Sequence, residues 1–355
     1  MKKSILLSAI LALFISLTAC QFNSSSITQT FDREIPGQGV TVKMGTGPIF
    51  FGRFITEIVG LGLRELGYQT REIKQLKPSL AHVAVGNGDL DFSTVHLEKS
   101  HQEFFVKGGG DAKLERVGTI VPQILEGYQI DLKTAQDYEI TNLEQLKNPQ
   151  IARLFDSDGD GKANLAGCDV GRACERTIDY HLEAYELIDT IEHDKGQNEI
   201  LMADVISRYQ QGKSVLYYTS QPSAIDFELK TGEDTTWLSV PFTALPPAQQ
   251  QWTGEDTSLD GQNLGFLINR IRILANKIFL ETNPAAKTWL EQVQIPTDDI
   301  RTEAQLLQQG ENRPNDIRRH AQKWIENHKQ KVDYWLETAR KAASIESPPS
   351  SNKLS

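Results

Sequence analysis

The 355-residue chain has few cysteines, no excess of positive charge and no apolar run long enough to span a membrane. Three cysteines are too few for a disulfide scaffold. A net charge of −10 argues against nucleic acid as a partner, because phosphates would be repelled. With 39 % hydrophobic and 24 % charged residues the composition is globular, and the length predicts two domains.

Catalytic constellations are also missing from the sequence. We find no nucleophile–base pair and no paired carboxylates at a recognisable spacing, either of which a hydrolytic or transfer enzyme would need. The histidines are scattered along the chain: His82, His96, His101, His181, His193, His320 and His328. We therefore expect a protein that is not an enzyme and requires no cofactor.

The N-terminus has the pattern of an export signal. Lys2 and Lys3 precede an apolar stretch, 5–17, which is shorter than the ~20 residues that span a bilayer. The sequence Leu-Thr-Ala-Cys at 17–20 resembles a bacterial lipobox, so we expect lipidation of Cys20. The alternative is an ordinary signal peptide with an incidental cysteine. The prediction is an exported body, in the periplasm or on the extracytoplasmic face, held to a bacterial membrane by its N-terminal lipid.

Export determines how the other two cysteines are interpreted. Outside the cytoplasm, Cys168 and Cys174 can stay oxidised, and their spacing closes a small loop. The chain-entropy model gives such a loop a stabilisation of about 2 kcal/mol. A metal pair or a reactive thiol is the alternative. The prediction is a disulfide.

The body begins with the pattern of an α/β fold. A strand at 40–44 runs into a glycine turn, and apolar residues then recur at helical spacing from Phe54 to Leu66. Gly45 and Thr46 lie at the end of this strand, where α/β sheets bind ligands, although a plain turn explains them as well. A second strand, 91–97, leads into a loop at 98–101. Near the C-terminus, apolar spacing from Ile317 to Leu336 predicts one long helix.

An acidic loop follows in the middle of the chain. Oxygen-bearing side chains occupy alternate positions of a calcium-type loop with glycine at its sixth position, Gly161. Its twelfth position is Gly167 instead of a bidentate glutamate, so a structural calcium ion and a cation-free turn both stay open. The five candidate ligand positions are Asp156, Asp158, Asp160, Lys162 and Asn164.

The cysteine loop opens a helix, and helix N-termini attract anions. Arg172 lies beside this helix start and has the geometry to grip a carboxylate. The alternative is a surface arginine next to the stapled turn, the loop of residues 168–174 that the predicted disulfide closes.

Several long runs of this sequence resemble the ProX-type glycine betaine/L-proline-binding proteins, the solute-binding components of ABC importers. The similarity covers about 35 to 343, and it is carried by runs at 151–175, 202–209, 215–219, 240–246, 275–277 and 283–286. It implies transport linked to osmoprotection, with an ABC permease and an ATPase as partners and a small-molecule solute as ligand. No nucleic acid is expected as a partner.

The resemblance also implies an α/β, type II-like periplasmic binding protein fold with a cleft between two lobes and two hinge crossings. Hinge closure on the ligand is the expected mechanism. A ligand sensor or an orphan surface lipoprotein with the same fold is the alternative function. The predicted parts are a lipoprotein signal peptide at 1–19, a tether at 20–34, lobe I at 35–125 and 266–343, lobe II at 126–265, and a disordered tail at 344–355.

The resemblance implies a ligand cage of three tryptophans, and this chain departs from it. Aligned through the matching runs, the cage positions are Leu97, Arg172 and Ser220. None of them offers an aromatic face to a quaternary ammonium. We expect the backbone amides of Ala173 and Cys174 to hold a ligand carboxylate. Glu98 is a candidate partner for an ammonium group, or a solvated rim residue.

Overall fold

The computed structural model describes residues 35–346, and these form an α/β protein, as the sequence predicted. The predicted signal peptide, Cys20, the tether and most of the tail lie outside the described residues. Within 35–346, no helix is long and apolar enough to cross a membrane.

Short strands and helices alternate along most of the described chain. The strands are β1 Thr41–Val42, β2 Met44–Thr46, β3 Gln69–Thr70, β4 Lys74–Gln75, β5 Phe92–Leu97, β6 Leu114–Asp131, β7 Ala163–Ala166, β8 Ile191–Asp194, β9 Leu216–Gln221, β10 Thr235–Leu238, β11 Ser258–Leu259, β12 Gln262–Asn263 and β13 Asn269–Asn276. The helices are α1 Gly52–Glu65, α2 Pro78–Gly86, α3 Gln102–Lys107, α4 Leu132–Asp137, α5 Pro149–Ala152, α6 Ala173–Ala184, α7 Asn198–Gln210, α8 Ile225–Glu228, α9 Lys277–Thr282, α10 Pro284–Gln292, α11 Thr297–Gln308, α12 Pro314–Asn327 and α13 Lys329–Glu346.

The main sheet runs through the whole body in the order β4-β2-β5-β13-β6-β9-β7-β8, with β10 also paired to β6. Strand β6 is 18 residues long and serves two halves of this sheet. Its first part pairs antiparallel with β13, and its last part pairs antiparallel with β9 and β10.

One hydrophobic core lies on each side of the point where β6 changes its pairing from β13 to β9. One core is built from residues between 42 and 124 and between 271 and 339, and the other from residues between 128 and 266. The chain thus passes between the cores twice, once within β6 and once just before β13. The predicted lobe boundaries, at 125/126 and 265/266, stay predictions.

Trp289 anchors the first core. Its indole is fully buried, and its Nε1 donates a hydrogen bond to the carbonyl of Val59 at 3.0 Å. The ring lies against Gly62 of α1, where an added Cβ would come within 2.1 Å of it. Only glycine therefore lets α1 and α10 approach so closely.

The second crossing depends on Gly265, which has a φ of +82°. A Cβ at this position would lie 2.9 Å from Val240 and 3.0 Å from His181, so space and backbone conformation both require glycine.

The prediction of one long C-terminal helix is wrong. The helix is interrupted at His328, where α12 ends and α13 begins one residue later. The His328 backbone has a φ of −107° and a ψ of 20°, and its Nδ1 lies 2.9 Å from the carbonyl oxygen of Trp324. The side chain thus bonds to the last turn of α12, and the apolar spacing continues across the break because both helices pack on the same core.

Candidate functional site

The stapled turn before α6 forms one side of the site. Cys168 and Cys174 form the predicted disulfide. The Gly171 amide donates to Glu175 at 2.6 Å, which fixes the loop against the first turn of α6. Arg172 is the residue that caps the helix, and Ala173 and Cys174 are its first two residues. Their amides belong to the first turn, whose N–H groups have no partner inside the helix.

Arg172 extends from this turn with much of its side chain exposed. Its Nη1 donates to Asp169 at 3.1 Å, and 47 % of the side chain is accessible to solvent. Burial opposes the charge of the guanidinium, but Tyr218, Asp169 and Glu126 together raise the pKa of Arg172. The arginine follows β7, which pairs in parallel with β9, so it lies at the edge of the sheet where β9 ends.

Glu126 lies on β6 between the two cores, and sequence reasoning did not select it. In the strand register it is opposite Ser220 of β9. The Tyr218 hydroxyl donates to Glu126 Oε1, and Asn269 Nδ2 lies 3.5 Å from Oε2. Burial raises the pKa of Glu126, while Tyr218, Arg172 and Asn269 oppose the shift. A usable signal was present, because Glu126 is the only charged residue between Val121 and Gly127.

The loop after β5 is a second part of the candidate site. Asn269 Oδ1 accepts the amides of Lys99 at 3.0 Å and Ser100 at 3.2 Å, which ties this loop to the start of β13. Lys99 Nζ then reaches Asp256 at 2.7 Å. Lys99 precedes the first crossing and Asp256 lies between the two crossings, so this ion pair joins two parts of the chain that are far apart in sequence.

Glu98 differs from its expected role as a free ammonium partner. Arg270 Nε lies 2.7 Å from its Oε2, and Arg272 Nη1 lies 2.8 Å from its Oε1. Both carboxylate oxygens therefore already have cationic partners. The two arginines lie on β13, far along the sequence, so no local pattern could reveal this pairing.

The structure distributes the remaining predicted residues unevenly. Leu97 is half-buried and packs against the first core, next to the loop described above. Gly45 and Thr46 lie within β2, paired with β4 and β5. The Thr46 side chain is 1 % exposed and its hydroxyl lacks a hydrogen-bond partner within the described chain. Strand pairing thus brings Ser220 opposite Glu126, whereas no hydrogen bond or ion pair within residues 35–346 joins Gly45 or Thr46 to the other predicted ligand residues.

Three histidines converge behind the β5 loop, so the expectation that all histidines are scattered is wrong. Nitrogen atoms of His82, His96 and His101 lie within 4.8 Å of one another. Arg116 Nε donates to His96 Nε2 at 2.9 Å, so His96 Nδ1 carries a proton and donates to His82 Nε2 at 2.9 Å. His82 Nδ1 then donates to the carbonyl of Pro78 at 2.6 Å.

This chain of hydrogen bonds has consequences for metal binding. Both ring nitrogens of His82 and of His96 are already used, and the guanidinium of Arg116 lies beside them. A cation would have to break these bonds and sit next to a positive charge, which costs free energy. The cluster is therefore a neutral structural network in this arrangement.

The acidic loop brings three of its predicted ligands together. Carboxylate oxygens of Asp156, Asp158 and Asp160 lie within 4.8 Å of one another. Asp156 accepts the amides of Gly159 at 2.7 Å and Gly161 at 2.9 Å. Asn164 Oδ1 accepts the Ser157 amide at 2.6 Å, and Lys162 Nζ reaches the carbonyl of Ile188 at 3.1 Å.

The cores, the two crossings and the site between them define a two-lobed solute-binding protein. Solved structures have the same fold. A choline-binding protein of an ABC transporter, in complex with choline, aligns with a TM-score of 0.63 at 16 % identity over 86 % of this chain and 97 % of that one. Lactococcal OpuAC, closed on glycine betaine, aligns with a TM-score of 0.61 at 15 % identity over 84 % of this chain and 99 % of that one. The fold is the type II periplasmic binding protein fold.

Sequence comparison identifies the family. Residues 40–327 match the family described as the substrate binding domain of ABC-type glycine betaine transport systems, OpuAC. The chain is 41 % identical to the glycine betaine-binding periplasmic protein OusX of Dickeya dadantii, over 87 % of this chain and 93 % of that protein. It is 40 % identical to the glycine betaine/proline betaine-binding periplasmic protein of Escherichia coli, over 91 % and 97 % respectively. The chain belongs to this family of ABC-transporter substrate-binding proteins, which are not enzymes.

Proposed function

We propose that this chain is the lipid-anchored solute-binding protein of an ABC importer and captures a small zwitterionic or anionic solute by closure of its lobes. The observation that carries this proposal is the position of Arg172 at the start of α6, after β7, at the sheet edge where β9 carries Ser220 opposite Glu126. A ligand held there would touch both lobes and stabilise the closed form, which the permease would then recognise.

The acid group of the ligand is assigned to the stapled turn. Arg172 would bind it through charge-assisted hydrogen bonds, with the Ala173 and Cys174 amides supporting from the helix N-terminus. The relatives above are named for betaines, but Leu97, Arg172 and Ser220 give this chain no aromatic face at those positions. We therefore propose that the anion half of a betaine-type site is retained and that the cation half differs.

A thermal-shift panel tests this function on purified mature chain that has been unfolded, washed free of ligand and refolded. The panel compares betaine, choline and proline with amino acids, dicarboxylates and other anionic osmolytes. A true ligand at 100 times its Kd stabilises by about 2.7 kcal/mol. We expect Arg172→Ala to weaken that ligand by about 10-fold or more. Arg176→Ala, on the exposed face of the same helix, is the matched control and should leave binding unchanged. A panel in which no solute shifts the melt would contradict the proposal.

We also propose a structural calcium ion in the acidic loop, because three carboxylates converge there and none of them has a cationic side chain as partner within residues 35–346. Calcium in excess over its Kd should raise Tm by a few degrees relative to chelator, and Asp158→Asn should remove the rise. Equal Tm values with calcium and with chelator would favour the cation-free turn.

A further inference from the structure

The carboxylate of Glu126 has no cationic side chain in contact with it among residues 35–346. It lies at the crossing between the two cores and is half-buried. Charges removed from water are normally paired, as Glu98 is with its two arginines. Glu126 therefore differs from the neighbouring acid in having its charge left available.

The hydrogen bonds that Glu126 does make leave it with spare capacity. One oxygen accepts the Tyr218 hydroxyl, and the other has only the amide nitrogen of Asn269, at the outer limit of 3.5 Å. An ionised carboxylate accepts about four hydrogen bonds. Asn269 is itself committed to Ser100 Oγ at 2.8 Å and to the carbonyl of Leu267 at 3.0 Å. Hydrogen-bond donors of a ligand would use the remaining acceptor capacity of the Glu126 carboxylate.

Arg172 supplies the opposite charge. Among residues 35–346 its one charged contact is Asp169, at 3.1 Å, although a guanidinium has five N–H donors. Arg172 follows β7, which runs parallel to β9 with Ala166 opposite Tyr217, and Glu126 lies opposite Ser220 near the end of β9. Both groups are therefore at the same edge of the sheet, and no ion pair joins them within residues 35–346. The cleft therefore presents a separated positive and negative pole, which suits a ligand with two charged ends.

The aromatic ring that contacts Glu126 among residues 35–346, Tyr218, does not offer an open face to hold the cation. The Tyr218 side chain is 4 % exposed, and its ring packs against Phe266 with centroids 5.1 Å apart. Its hydroxyl is occupied by Glu126. A quaternary ammonium has no N–H to donate, so it would leave the carboxylate unsatisfied, whereas a primary or secondary ammonium would satisfy it.

We infer that the ligand of this chain is a zwitterion with at least one N–H on its nitrogen, held by Glu126 at the ammonium end and by Arg172 at the acid end. This inference rests on the proposed function and specifies its substrate class. Glu126 acts here as a specificity-determining residue.

Two series of N-methylated probes test the inference by isothermal titration calorimetry on the refolded mature chain. One is glycine, sarcosine, dimethylglycine and glycine betaine, and the other is β-alanine with zero to three N-methyl groups. In each series the acid end is constant and the number of N–H donors falls from three to none. We expect affinity to fall with methylation, with a loss of 10-fold or more when the last N–H disappears.

Glu126→Gln keeps the shape of the side chain and removes its charge. We expect it to weaken the unmethylated probes by 10-fold or more and to abolish the preference within each series. Glu115→Gln, on the same strand, is the matched control and should preserve the preference, because Glu115 is paired with Lys287 and lies outside the candidate site. Circular dichroism establishes that both variants are folded.

Three results would overturn the inference: affinity that rises with methylation, a preference that survives in Glu126→Gln, or failure of both series. If both series fail while another solute of the wider panel binds, the substrate class is wrong and the proposed function stands. If no solute binds at all, both are wrong. The wild-type series decides the matter even where a variant does not fold.

Discussion

The folded chain should lose stability steeply as the pH falls from 6.5 to 4, because it buries histidines in their neutral form. Burial, together with the charge of Arg116 and despite the Pro78 hydrogen bond, lowers the pKa of His82 to about 4. Burial likewise lowers the pKa of His181 to about 4. It also holds the pKa values of His96 and His101 well below their usual range, with help from neighbouring positive charges.

The direction of this pH effect follows from comparing the protonation of the folded and the unfolded chain. Histidine in the unfolded chain titrates near 6.5, so the unfolded state takes up protons first as the pH falls. Stability is therefore complete above about pH 6.5 and decreases through the window down to pH 4. His82 and His181 each account for a loss of about 3 kcal/mol at the acid end.

Chemical denaturation at intervals between pH 4 and pH 7.5 measures this slope. His181→Gln removes one titrating group, so the slope in the window should decrease by about one proton even if the variant is less stable at pH 7. The native His181 ring is 0 % exposed, stacks on Tyr185 and has its Nδ1 2.8 Å from the Tyr128 hydroxyl. Equal slopes for wild type and variant would show that His181 is not buried neutral.

The second large effect is expected at the N-terminus, where Cys20→Ser should abolish membrane anchoring by lipid. Serine has no thiol to take the lipid, and stable attachment requires more than one acyl chain. Intact mass spectrometry after expression in bacteria should find the wild type without residues 1–19 and with added lipid mass. The variant should show neither change.

A control separates anchoring from export. Replacing residues 1–20 by an ordinary cleavable signal peptide should give a lipid-free chain that is recovered in the soluble extracytoplasmic fraction. If the Cys20→Ser chain still carries lipid mass, or if wild type is processed without lipid, the ordinary signal peptide is the correct interpretation.

Under the proposed function, closure of the lobes would connect these chemical features to transport. The ion pair between Lys99 and Asp256 already joins two distant parts of the chain, and Asn269 positions the loop that carries Lys99. A ligand between Arg172 and Glu126 would add contacts of the same kind, polar and directional. Its binding free energy therefore depends on both lobes, as expected for a protein that signals occupancy by its shape.

Features that depend on short stretches of chain were predictable. The α/β pattern, the disulfide between Cys168 and Cys174, and helix α1 follow from local periodicity and short spacing. The family resemblance rests on runs of the same kind. The break at His328 was missed because it leaves the apolar spacing undisturbed, and periodicity alone does not report where hydrogen bonds are interrupted.

The sequence by itself determined the class of protein and the turn that holds Arg172. It also predicted export and lipidation at the N-terminus. Only the tertiary structure decided which acid in the cleft keeps its charge available. Glu98 is neutralised by arginines on β13, and Glu126 is brought opposite Ser220 by strand pairing. The physical reason is that a charge is compensated by whatever lies within a few ångströms in space, and for residues far apart in the chain that distance is set only when strands and lobes pack.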